Sequence, residues 1–138
     1  MLRSVTDNFS VGSCQDARFH GGEFDIVVSL ASPPETSTNQ FLIDDGDHDY
    51  EKFEKAVDKI LSSLEDDKTV LVHCNAGVSR SVSACIAAYV TNFGVGYMEA
   101  LESCRSGYTY PDNRLLESAR RYINEHTEDG VDTGVDYY

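Results

Sequence analysis

Two short runs of apolar, mostly β-branched residues predict the buried strands of this chain. Residues 24–31 have the sequence FDIVVSLA, and residues 69–72 have the sequence TVLV. Such runs, bounded by turn residues, are typical of strands that lie in a core. Residues 40–43 predict a further short strand. Residues 3–11 alternate weakly between apolar and polar positions before a turn at Gly12.

Helical periodicity is strongest over residues 50–65. Apolar side chains recur there at intervals of three and four, which is the pattern of an amphipathic helix with one buried face. These positions are Phe53, Ala56, Val57, Ile60, Leu61 and Leu64. Residues 82–93 and 97–104 predict two more helices, in which we expect Phe93 and Met98 to face inward. Pro111 suits the first turn of a last helix.

The alternation of strands and helices indicates a single α/β domain. A chain of 138 residues is long enough to bury one core, and no linker divides it. Residues 15–22 are polar and include a glycine pair. Residues 128–138 are acidic, contain glycine and have no apolar period. We therefore predict a domain over residues 1–127 followed by a mobile acidic tail over 128–138.

The segment of residues 73–81, HCNAGVSRS, joins the strand at 69–72 to the helix at 82–93. A strand, a tight loop with a glycine and a helix together make an anion cradle. Backbone N–H groups point inward in such a loop, and the helix start adds the positive end of its dipole. Cys74 begins this loop and Arg80 ends it, which suggests chemistry as well as binding.

The side chains of this loop fit phosphoryl transfer through a cysteine. The N–H groups, the helix start and Arg80 all stabilise a thiolate, so we expect the pKa of Cys74 to be lowered. Arg80 presents a planar fork of donors that matches two phosphate oxygens. Gly77 permits a positive φ, and Ser81 can donate a hydrogen bond to the sulfur when it leaves.

The remaining loop residues are predicted to shape the cradle. His73 precedes the nucleophile and can fix the loop through a ring N–H. The other positions offer mainly backbone donors: Asn75, Ala76, Val78 and Ser79. The reaction implied is a two-step transfer through a cysteinyl-phosphate, in which a second group protonates the leaving oxygen and then activates water. An aspartate on a nearby loop suits that role.

Charge narrows the range of partners. The chain has 24 acidic and 11 basic residues, for a net charge of −13. A field of that sign argues against nucleic acid and anionic membranes as partners. Lysine is scarce while aspartate is abundant. We favour adaptation to high salt, where such a surface stays hydrated and its self-repulsion is screened, over an ordinary acidic protein.

Neither a membrane nor a metal is indicated. No apolar run approaches the roughly 18 residues of a spanning helix, and Asp7 interrupts any signal peptide, so we predict a cytoplasmic protein. The spacing of the cysteines does not suggest zinc. Cys14, Cys85 and Cys104 are therefore predicted to be packed thiols, with a redox pairing to Cys74 as the alternative.

At this point the sequence resembles a known family. Residues 70–81, VLVHCNAGVSRS, resemble the signature of the dual-specificity branch of the cysteine-dependent protein tyrosine phosphatases. Residues 5–13 are similar to the family's opening strand and turn, and residues 110–113 to the segment before its last helix. The resemblance implies a mostly parallel central sheet of four or five strands flanked by helices. It also implies a phosphoprotein or phosphopeptide substrate, and neither a metal nor an organic cofactor.

The resemblance further implies a general acid about 30 residues before the cysteine, after a strand of alternating apolar residues. Asp44 and Asp45 stand at that distance from Cys74. The apolar phase of the preceding strand favours Asp45, with Asp44 and Asp47 as alternatives. His48, beside this acidic loop, is expected at the surface.

The expected activity is hydrolysis of phosphotyrosine together with phosphoserine and phosphothreonine. The chain lacks a motif resembling the tyrosine-containing loop that deepens the pocket of tyrosine-only enzymes, so a shallow pocket is expected. Residues 75–78 include no lysine, which argues against phosphoinositides. A non-catalytic phospho-binding module and a sulfur or arsenate enzyme with a similar cysteine loop are the alternatives.

Overall fold

The computed structural model describes residues 2–31, 39–44 and 48–127. Within them the strands are β1 (Arg3–Thr6), β2 (Phe9–Gly12), β3 (Ile26–Ser29), β4 (Asn39–Gln40) and β5 (Val70–His73). The helices are α1 (Cys14–His20), α2 (Tyr50–Glu65), α3 (Arg80–Phe93), α4 (Tyr97–Cys104) and α5 (Asn113–His126), with a short 3₁₀ turn at Gly21–Glu23. The predicted tail at 128–138 lies outside the described residues, as do Asp45 and Asp47.

The five strands form one sheet in the order β1-β2-β5-β3-β4. The pair β1–β2 is antiparallel, whereas β2–β5, β5–β3 and β3–β4 are parallel. The predicted fold class, a mostly parallel sheet with flanking helices, is confirmed. All four residues of β5 are buried, because a central parallel strand is covered on both faces. The loop that follows β5 therefore starts from the most constrained strand of the sheet.

Helices cover both faces of the sheet. Val70 and Val72 of β5 belong to the main core, on the side where α2 and α3 pack. Leu71 points the other way because side chains alternate along a strand. It is buried outside that core, as is Ala17 of α1, a helix that packs on β2 and β5. The loop that begins at Cys74 thus follows a strand that is packed on both faces.

Several helix predictions are confirmed. The helices at 50–65 and 97–104 have the predicted bounds, and Asp49 caps the first of them by accepting a hydrogen bond from the Glu51 N–H at 3.0 Å. Phe93 and Met98 were expected to face inward, but they are 47% and 53% exposed, because each lies on the outer side of its helix. None of the described helices is long and apolar enough to cross a membrane.

Other local predictions need correction. Residues 3–11 form two antiparallel strands, because Asp7 and Asn8 make a turn between them. The strand expected at 40–43 is regular only at Asn39–Gln40. The polar stretch at 15–22 is largely helix α1. Pro111 precedes the α5 cap, Asp112, and so lies outside the first turn.

Candidate active site

The end of β5 and the start of α3 place Cys74 and Arg80 in one short loop. Cys74 follows directly on β5, and Ser79 stands at the N-cap position of α3, whose first residue is Arg80. The Cys74 side chain is only 2% exposed, so its sulfur lies within the loop. A thiol so placed meets the free N–H groups of the loop and of the helix start.

Hydrogen bonds make this thiol acidic. Ser81 Oγ lies 3.2 Å from Cys74 Sγ. Burial opposes ionisation, but the bond from the Ser81 hydroxyl and those from the backbone N–H groups of Ser81, Gly77 and Ser79 outweigh it. The pKa of Cys74 therefore lies below its ordinary value. The Gly12 carbonyl oxygen lies 3.4 Å from Ser81 Oγ and is the weaker of the two acceptors for that hydroxyl. When Cys74 is a thiolate, the Ser81 hydroxyl therefore donates its hydrogen bond to the sulfur.

Two hydrogen bonds fix the His73 ring in one tautomer. Its Nδ1 lies 3.1 Å from the Cys74 carbonyl oxygen, which can only accept, so Nδ1 carries the proton. Burial lowers the pKa of His73, and the hydrogen bond to Cys74 offsets this only in part. The neutral ring then accepts at Nε2, where the Ser29 hydroxyl donates at 2.7 Å. These buried hydrogen bonds link β3, β5 and Cys74.

Arg80 joins the loop to the segment that precedes the acidic residues. Its Nη1 donates to the Ile43 carbonyl at 3.0 Å. A guanidinium has five N–H donors, of which a bidentate phosphate contact uses two. Arg80 can therefore hold a phosphate while it remains bonded to Ile43.

The Ser79 end of the loop is hydrogen-bonded to the start of α5. The Ser79 hydroxyl accepts a hydrogen bond from the Asp112 N–H at 3.0 Å, and Asp112 in turn caps α5. The Asn75 carbonyl accepts from the Cys14 N–H at 3.0 Å. The loop is thus tied to α1 and α5 as well as to its own strand and helix.

Gly77 is required by both its conformation and its neighbours. Its φ is +74°, in the left-handed region, and a Cβ there would lie 2.7 Å from the Gly12 carbonyl carbon. Glycine lets the loop pass directly over the end of β2. Any larger residue at this position must displace either the loop backbone or the backbone of Gly12, and backbone moves less readily than a flexible side chain.

We expect Gly77→Ala to destabilise the fold by about 2–5 kcal/mol, from left-handed strain and the overlap with Gly12 together. Gly94→Ala is the matched control, because Gly94 has a φ of +68° but open space around its Cβ position. It should lose only about 1–2 kcal/mol. Urea unfolding of both variants measures the difference. Equal losses would show that the approach to Gly12 costs nothing.

The acidic segment is described only at its edges. Asp44 lies with Leu42, Ile43, His48, Asp49 and Lys52 around a cavity of about 340 Å³. This cavity does not include Cys74 in its lining but borders the segment to which Arg80 bonds. Asp45 and Asp47 lie outside the described residues. His48, expected at the surface, is half-buried, and its Nε2 lies 2.7 Å from Ser118 Oγ of α5.

All four cysteines are free thiols. Cys85 and Cys104 are fully buried, as predicted for packed residues, whereas Cys14 is half-exposed. Burial and the neighbouring Cys104 thiol raise the pKa of Cys85. Cys85 is thus chemically unlike Cys74, whose environment favours the anion.

The structure adds site residues that sequence reasoning missed. These are Arg3, Gly12, Ser29, Ile43 through its carbonyl, and Asp112 through its N–H. Ser29 gave one usable signal, since a lone serine in an otherwise apolar strand needs a polar partner. The backbone groups left no mark on the sequence.

Comparison with known proteins places this geometry in a family. The sequence profile of the catalytic domain of dual specificity phosphatases matches residues 24–126. A probable dual specificity protein phosphatase of Dictyostelium discoideum is 33% identical over 73 residues, which are 49% of this chain and 18% of that protein. The chain therefore spans well under two thirds of that relative.

Solved structures show the same fold at low identity. A human tyrosine phosphatase-like serine/threonine/tyrosine-interacting protein superposes with a TM-score of 0.72 at 19% identity, covering 90% of this chain and 96% of that one. Human DUSP28 gives a TM-score of 0.72 at 17% identity, covering 90% and 93%. With the profile match over most of its length, the chain belongs to the family of dual specificity phosphatase catalytic domains.

Proposed function

We propose that the protein hydrolyses phosphotyrosine, phosphoserine and phosphothreonine in proteins through a cysteinyl-phosphate. The observation that carries this proposal is the Cys74 thiol, held 3.2 Å from the Ser81 hydroxyl with its pKa lowered by that bond and by backbone N–H groups. A cysteine that only packs would lie in the opposite environment, as Cys85 does.

In the first step the Cys74 thiolate attacks phosphorus in line with the leaving oxygen. An S–P bond forms as the P–O bond to the substrate side chain breaks, and a general acid protonates the departing oxygen. Arg80 binds two of the equatorial oxygens, and the loop N–H groups bind the charge that develops on them.

In the second step water attacks phosphorus and the S–P bond breaks. The general acid, now a carboxylate, takes the proton from water, and inorganic phosphate leaves. The sulfur departs as a thiolate, which the Ser81 hydroxyl stabilises by donating its proton as a hydrogen bond. Every group except the acid belongs to the described loop and the start of α3.

A substrate panel tests this proposal. We expect turnover of an aryl phosphate and of peptides that carry each of the three phosphorylated residues, measured at low and at molar salt. A phosphoenzyme trapped by acid quench should carry its phosphate on Cys74. Binding of phosphopeptides without turnover or phosphoenzyme would instead indicate a phospho-binding module.

We propose Asp45 as the general acid, and its replacement by asparagine should lower kcat by about 10²–10⁴-fold. Only the protonated acid can donate a proton to the leaving oxygen. Wild-type activity should therefore fall as pH rises through the pKa of this group. The Asp45→Asn variant should lose that falling limb in a kcat profile against pH. Asp44→Asn and Asp47→Asn are the matched controls, and loss of the limb in either one reassigns the role.

A further inference from the structure

Arg3 reaches from the edge strand of the sheet to the phosphate-binding loop. Its Nη2 donates to the Gly77 carbonyl at 2.7 Å, and both Nη2 and Nε approach the Cys104 carbonyl, at 3.3 and 3.4 Å. The side chain is half-buried. Arg3 also lies outside residues 24–126, which the family profile covers.

The bond to Gly77 constrains a peptide unit of the loop. The C=O of Gly77 and the N–H of Val78 share a planar trans peptide, so they point in opposite directions. While Arg3 holds the carbonyl on one side, the Val78 N–H must face the other. The N–H of Gly77 itself already serves the Cys74 sulfur. Fixing the Gly77 carbonyl thus orients the Val78 N–H, the donor next to one that already serves the sulfur.

Arg3 also brings a second guanidinium to the loop that holds Cys74. The ionisable groups that act on it are Asp16 of α1, Cys85 of α3, Cys104 of α4 and Cys74 of the loop. Of these, Asp16 is held by Ser13, whose N–H and hydroxyl lie 2.8 and 2.9 Å from its carboxylate. An arginine remains protonated at neutral pH, so its charge favours the thiolate form of Cys74.

We propose that Arg3 is a positioning residue of this site, which fixes the peptide between Gly77 and Val78 and stabilises the Cys74 thiolate by its charge. This inference rests on the proposed function, because it assigns Arg3 a role in the reactivity of that thiolate. A merely structural role is the competing account: Arg3 also satisfies the Cys104 carbonyl at the end of α4, a group that a helix leaves unpaired.

Two variants separate the roles. Arg3→Met removes both the charge and the donors, whereas Arg3→Lys keeps the charge and loses the fork. Arg18→Met is the matched control, since Arg18 is exposed on α1 and its loss changes the net charge equally. Alkylation of Cys74 by iodoacetamide, followed by mass spectrometry across pH, gives the ionisation midpoint. Steady-state kcat and KM are measured alongside, per folded molecule.

For Arg3→Met we expect the Cys74 midpoint to rise by about 0.5–1 pH unit and kcat to fall by about tenfold or more. Arg3→Lys should restore the midpoint but not kcat, because one ammonium cannot hold the carbonyls of Gly77 and Cys104 in the same geometry. Arg18→Met should match the wild type in both measurements.

A lower unfolding temperature for Arg3→Met and Arg3→Lys, with unchanged midpoint and kcat in the folded fraction, would overturn the proposal in favour of a structural role. Failure of the proposed function has a different signature. In that case the wild type itself would lack turnover, while the midpoint difference between wild type and Arg3→Met could still be measured.

Discussion

Replacement of Cys74 by serine is expected to abolish turnover, with kcat reduced by about 10⁴-fold or more. A serine hydroxyl is hardly ionised at neutral pH, and the loop donors that lower the pKa of the thiol cannot bring an alcohol into that range. The measurement is steady-state hydrolysis of an aryl phosphate, with acid quench to detect any phosphoenzyme.

Binding should survive this change. The backbone N–H groups and Arg80 remain in place, and serine is smaller than cysteine, so phosphate should bind to Cys74→Ser with an affinity within about tenfold of wild type. Isothermal titration with inorganic phosphate measures it. Cys14→Ser is the matched control, because the Cys14 side chain is a half-exposed free thiol. Turnover by Cys74→Ser near the wild-type rate would refute the cysteinyl-phosphate mechanism.

The pH dependence follows from the same thiol. Because the pKa of Cys74 is lowered, the thiolate persists below the pH at which an ordinary cysteine would be protonated. Activity should therefore rise with pH along a limb that lies below the ordinary thiol range. In Asp45→Asn, which should lack the falling limb, activity should reach a plateau before that range begins. A rising limb at or above the ordinary thiol range would mean that burial, which opposes ionisation, outweighs the hydrogen bonds to Cys74.

The loop was predictable because its chemistry is local. Cys74, Gly77, Arg80 and Ser81 lie within eight consecutive positions, and their spacing alone indicates a strand, a cradle and a helix. Helix α2 was equally clear, since its apolar residues repeat with the helical period from Phe53 to Leu64. In both cases short-range sequence order determines what the residues do.

Helix α1 was missed because it has almost no buried stripe. Ala17 is its one buried side chain, so no periodic apolar pattern exists to detect. Its start did carry a signal, a capping box in which Ser13 and Asp16 bond reciprocally to each other's backbone. The expected strand at 40–43 failed differently. The Phe41 N–H still bonds to Ser29, the last residue of β3, and the Ile43 N–H bonds to Leu30 just after it, but without regular pairing.

The long-range supports of the site that end on backbone carbonyls had no sequence signal. Arg3 contacts Gly77 and Cys104 across 74 and 101 positions, and Arg80 contacts Ile43 across 37. These bonds end on backbone carbonyls, whose direction depends on the folded chain and not on residue type. The strand, loop and helix that hold Cys74 and Arg80 could be predicted from the sequence, whereas the groups that orient the loop required the structure.

Replacement of Arg80 by lysine should lower kcat/KM by about 10³-fold. Lysine keeps the positive charge but replaces a planar fork by one ammonium, so it cannot bind two phosphate oxygens and the Ile43 carbonyl together. The retained charge should leave the Cys74 alkylation midpoint near that of wild type. Arg18→Lys, on the exposed side of α1, is the matched control and should retain full activity.

The division of this loss between kcat and KM identifies the role of Arg80. If the guanidinium binds the ground state and the transition state equally, its loss changes KM alone. If its hydrogen bonds strengthen as charge builds on the equatorial oxygens, its loss lowers kcat. We expect most of the loss in kcat, because Arg80 also fixes the carbonyl next to Asp44 and so couples the bound phosphate to the acidic segment. A loss confined to KM would reduce Arg80 to a binding residue, and activity within tenfold of wild type would remove it from the reaction.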